Sequence, residues 1–63
     1  MKLKEALEIA QSSDRIPEDV AEEIMTYGIS AILAEGLRYN EAIEIITKAE
    51  ISLRRHRAQS VSF

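Results

Sequence analysis

A chain of 63 residues, 46% hydrophobic and 30% charged, allows one domain near the lower limit of independent folding, and its net charge of -3 disfavours a polyanion as main partner. Cysteine is absent and His56 is the single histidine, which excludes a disulfide framework and a zinc site of Cys and His ligands. Ordering a residue costs about 1.5 kcal/mol, so helix packing or self-association must supply what cross-links and metals do not.

The opening Met1-Lys2-Leu3-Lys4 could begin a secretory leader, but Glu5 and Glu8 interrupt the apolar segment such a leader needs. Leu3, Ala6, Leu7 and Ala10 instead recur at the three- and four-residue steps of an amphipathic helix over residues 2–11. Ser12, Ser13 and Asp14 compete for the backbone and predict a turn. Pro17 suits the first position of a second helix, with Glu18 and Asp19 complementing its dipole and Gly36 closing it after Ala34 or Glu35. Asn40 caps a third helix, acidic at its start with Glu41 and Glu44 and basic at its end with Arg54, Arg55 and Arg57. Residues 58–63 lose the helical period and are expected to fray, leaving residues 1–57 as a single all-α, three-helix domain. No stretch approaches the ~20 apolar residues that span a bilayer, and a cytoplasmic protein with no membrane partner is expected.

The second helix is apolar most of the way round. Glu18, Asp19, Glu22, Glu23, Thr26 and Ser30 make one narrow polar stripe, and two short neighbours offer little to cover the rest. Leaving three or four large side chains in water forgoes about 1.5–3 kcal/mol each, comparable with the stability of so small a domain. A homodimeric helical bundle resolves this. Its self-interface, or a partner-binding surface in its place, is expected at Ile24, Met25, Gly28, Ile29, Ile32, Leu33, Ile43 and Ile51. Gly28 costs about 1 kcal/mol relative to alanine inside a helix, which close approach of another backbone would explain; a break near residues 26–28 is the alternative.

Catalytic chemistry is poorly supplied. Glu18, Asp19, Glu22 and Glu23 are the one dense carboxylate cluster, but no histidine or matched acidic helix accompanies them, and the helix dipole accounts for their position. No serine or threonine has a base and an orienting group beside it in the sequence, and Gly28 and Gly36 are isolated, so neither a nucleophile nor a phosphate loop is indicated. No enzyme, no metal and no cofactor are expected. Counted along the sequence, residues 51–63 hold three arginines and no acid, whereas residues 5–50 hold eleven acids and three bases. Arg54, Arg55 and Arg57 could therefore meet nucleic acid or an acidic partner, although they also neutralise a helix C-terminus, and Glu50 stands four residues before Arg54. His56 among them reads as a solvated surface residue. Residues 33–40 resemble a helix-turn-helix connection, but Ile32 and Glu35 depart from its pattern, and Glu41 and Glu44 would face phosphates.

In its length, its Met1-Lys2-Leu3-Lys4 opening, the helical run from Tyr27 to Ile46 and its Arg54-Arg55-His56-Arg57 ending, the chain resembles the small early proteins encoded in the exo-xis region of lambdoid bacteriophages. That resemblance implies an accessory protein of the bacterial host cytoplasm, dispensable for growth, that shifts the balance between lysis and lysogeny. It carries over no catalytic residues. The expectation is a non-enzymatic regulator acting through an unidentified host or phage protein, with a nucleic-acid-associated regulator using the arginine cluster as the alternative.

Overall fold

The computed structural model describes residues 2–60 and places three helices in the order α1 (Leu3–Ser12), α2 (Glu18–Ala34) and α3 (Tyr39–Ser60), with no strand among the described residues. The all-α, three-helix architecture expected from the hydrophobic periods is the one observed.

Each boundary has a local cause. The Ser12 hydroxyl donates to the carbonyls of Glu8 and Ile9 at 3.0 and 3.2 Å, turning the last turn of α1 onto itself before Ser13 leaves helical geometry. Pro17 stands one position earlier than expected, as the cap of α2 rather than its first residue, and its carbonyl accepts the Ala21 amide at 2.9 Å. At the other end the Glu35 and Gly36 amides bond three residues back, to Ile32 and Leu33, and Gly36 takes the positive φ of 98° expected of it. α3 begins before Asn40, because Arg38 is the capping residue: its amide donates to the Glu41 carboxylate at 3.0 Å, while its carbonyl accepts the Ala42 amide. The helix continues through residues 58–60, part of the stretch expected to fray; residues 61–63 lie outside the described residues.

Gly28 breaks α2. Its φ of 82° and ψ of 180° belong to a region open essentially only to glycine, and the helix kinks there. Within the chain a Cβ built on Gly28 meets nothing within 4 Å, so no neighbouring backbone of its own fold accounts for the glycine. Conformation, not crowding, requires this glycine. Two residues earlier the Thr26 hydroxyl donates to the Glu22 carbonyl at 2.7 Å, a back-bond of the kind that bends helices.

The core gathers Leu3, Ala6, Leu7 and Ala10 of α1, Ile16 of the first linker, Val20, Ala21, Ile24 and Ile32 of α2, and Ala42, Ile45 and Ala49 of α3. Ala6, Ala10, Ala21, Ala42 and Ala49 are completely inaccessible, so the helices approach each other over methyl groups and leave the bulk to a few isoleucines and leucines. Ile16 carries the linker into this core, and the Ser52 hydroxyl of α3 holds the same residue's carbonyl. A segment that reads in sequence as a plain turn is thereby fixed at both its side chain and its backbone.

Candidate functional site

The eight residues expected to form an interface divide. Ile24 and Ile32 are completely buried in the chain's own core and are not available to a partner; each falls on the inner side of its half of α2. Ile29 is half-buried against that core, and Gly28 marks the kink. Met25, Leu33, Ile43 and Ile51 do remain in water, as do Tyr27 and Tyr39, at exposures from 37% for Leu33 to 66% for Tyr39. Burial of three or four such side chains is worth several kcal/mol, so their exposure is the conspicuous feature of the surface.

These exposed residues do not share one face. At about 100° per residue, Ile43 and Ile51 point roughly 80° apart around α3. Ile51 lies instead at a cleft of about 290 Å³ between the α1–α2 linker and α3, with Asp14, Arg15, Lys48, Ser52, Arg55 and His56. On the other flank of α3, Tyr39, Ile43, Ile46, Glu50, Leu53 and Arg57 follow one another at alternating steps of four and three, the spacing of a helix-pairing seam. A parallel seam of Ala42, Ile45, Ala49, Ser52 and His56 faces the chain's own core and linker. The first of these seams is only half covered: Ile46 and Leu53 pack against the core, whereas Tyr39 and Ile43 stand clear. Met25 of α2 joins it, since Met25, Leu53 and Arg57 line a common cleft of about 360 Å³, and Arg57 lies about five whole turns from Tyr39, on the same line of the helix. Tyr39, Ile46 and Leu53 are the members absent from the expected interface, Tyr39 because the sequence places it in the connection and not at the first position of α3.

The arginine run is similarly dispersed. Arg54 pairs with Glu50 at 2.6 Å, the four-residue pair expected from the sequence. Arg55 turns into the cleft beside Ile51, and Arg57 into the cleft beside Met25 with Glu18 and Glu22. Arg55 thus points away from Arg54 and Arg57, which lie within about 60° of each other around α3. His56 is not merely solvated, since its Nε2 lies 2.8 Å from the Glu18 carboxylate, joining the end of α3 to the start of α2. Glu18 thus has a structural partner beyond the helix dipole. Among the described residues no group of three or more His, Cys, Asp or Glu side chains is disposed to hold a metal ion, and no helix is long and apolar enough to cross a membrane.

Fold and surface together define a small three-helix domain with a half-covered helical seam on one side and a cationic cleft on the other. No protein-family model, no curated protein and no solved structure matches the chain.

Proposed function

We propose that the protein is a non-enzymatic interaction module that forms a homodimer through the outer seam of α3, with Tyr39, Ile43, Ile46 and Leu53 at its centre and Met25 at its edge. The observation that carries this reading is the doubled three–four spacing on α3: one seam is consumed by the core, and the other leaves Tyr39 and Ile43 exposed. A second copy offers the same seam, so two such helices bury each other's exposed side chains by the packing that pairs helices in bundles. Glu50 and Arg57 stand within the seam and Arg54 beside it, and these charges restrict the register of pairing. For the biological setting the support is the likeness to the small early phage proteins; on that reading the dimer acts in the bacterial cytoplasm on a host or phage protein and shifts the balance between lysis and lysogeny.

Sedimentation over a range of concentrations tests the dimer. The wild type should move from monomer to dimer as concentration rises, Ile43→Asp should remain monomeric with its helical content intact, and Ile51→Asp, off the seam by about 80° from Ile43, should dimerise as the wild type does. A wild type that stays monomeric throughout, or an Ile51→Asp as impaired as Ile43→Asp, overturns the assignment. In cells infected by a temperate phage, expression of the wild type should change the frequency of lysogens, and Ile43→Asp should not.

A further inference from the structure

Two residues that the sequence separates by 40 positions, Arg15 and Arg55, meet Lys48 around the cleft between the α1–α2 linker and α3. On α3, Lys48, Ile51, Ser52 and Arg55 occupy one face at steps of three, one and three. Buried Ile16 and its hydrogen bond from Ser52 fix the linker that brings Arg15 to that face. The charges inside the cleft are mixed, but their pairing is uneven. Of its two acids, Glu18 is engaged by His56 at 2.8 Å, and Asp14 makes no ion pair among the described residues. Of its cations, Lys48 has only a long contact of 3.9 Å to Glu44, itself largely exposed, while Arg15 and Arg55 make no ion pair among the described residues. Two guanidinium groups are therefore left with their planar donor forks uncommitted, beside a lysine whose ammonium group is held loosely. Ile51 supplies an apolar wall at 44% exposure.

We infer that this cleft binds a single oxyanion group, phosphate or carboxylate, carried on an apolar body. The anion takes the charge-assisted hydrogen bonds that Arg15 and Arg55 do not make within the chain, and the body covers Ile51. The volume of about 290 Å³ falls at the lower edge of the ~300–1,000 Å³ typical of ligand pockets, which suits one such group and not a large ligand. A polyanion is disfavoured, because Asp14 and Glu18 line the same cleft and the protein's net charge is -3. The site lies on a different face of α3 from Tyr39 and Ile43, and it requires no dimer.

Inorganic phosphate and phenyl phosphate, titrated at constant pH and low ionic strength into the isotope-labelled protein, provide the probes. Both should give saturable amide shifts confined to residues 14–18 and 48–56, with phenyl phosphate saturating at several-fold lower concentration. Arg55→Gln and Arg15→Gln should each weaken binding at least several-fold without altering helical content. Absence of saturable shifts, or shifts spread equally over Arg38, Arg54 and Arg57 as for general screening, overturns the site. So does equal affinity for the two probes, which removes the role of Ile51. A short single-stranded oligonucleotide that binds more tightly than phenyl phosphate, and is weakened as much by Arg57→Gln as by Arg55→Gln, overturns it in favour of a nucleic-acid surface.

Discussion

The two halves of α2 are built to different ends. Before Gly28 the helix contributes Val20, Ala21 and Ile24 to the core, and its first residue, Glu18, is held by His56; after Gly28 only Ile32 is buried, while Leu33 and Ala34 face water. Within one helix of 17 residues, the first part anchors the fold and the second part chiefly returns the chain towards α3. A uniform helix would keep the same angular face inward along its whole length. The kink at Gly28 releases the second half from that constraint, and Ile32 is buried on its side of the break as Ile24 is on the other.

The contrast can be broken most severely at the anchor. Ile24→Ala removes a completely buried side chain and should lower unfolding stability by about 2–5 kcal/mol in denaturant titrations. A loss below ~1 kcal/mol would mean that the first half of α2 is not the anchor. Gly28→Ala comes next, and its sign is informative. With no neighbouring atom to clash, the change acts through the backbone alone, and forcing alanine into this conformation should cost about 1–3 kcal/mol. Stabilisation by up to ~1 kcal/mol, the usual gain of alanine over glycine in a regular helix, would instead show a straight α2 in solution. The smallest effect is expected at the linker. Ser52→Ala strands the Ile16 carbonyl and should cost about 0.5–1.5 kcal/mol, with faster amide exchange concentrated in residues 13–17. Uniformly faster exchange along the chain would show that the hydrogen bond holds the whole fold and not the linker.

Much of this architecture is written in local patterns. The apolar period of α1, the acidic start of α2, the closing role of Gly36 and the Glu50–Arg54 pair all depend on residues within four positions of one another, and each is legible before any packing is known. The limits appear where the decisive contact is distant. The number of apolar residues on α2 predicts excess surface but does not tell which of Ile24, Met25, Ile32 and Leu33 the other helices cover, since that depends on where α3 crosses. Gly28 illustrates a different ambiguity: one glycine is equally compatible with close packing and with a kink until its φ is known. The cationic cleft gives no sequence signal at all, because Arg15 and Arg55 become neighbours only through the burial of Ile16 and the hydroxyl of Ser52. The spread of the arginine run has a simpler cause: Arg55 diverges by about 100° from the adjacent Arg54 on the helix.

The five inaccessible alanines act as a gauge for the whole molecule. At those points the separation between helices is the thickness of a methyl group, so a larger residue at position 6, 10, 21, 42 or 49 forces the axes apart and reshapes every surface built across them. Both clefts and the outer seam of α3 inherit their shape from these contacts. A single enlargement in the interior would disturb sites it never touches.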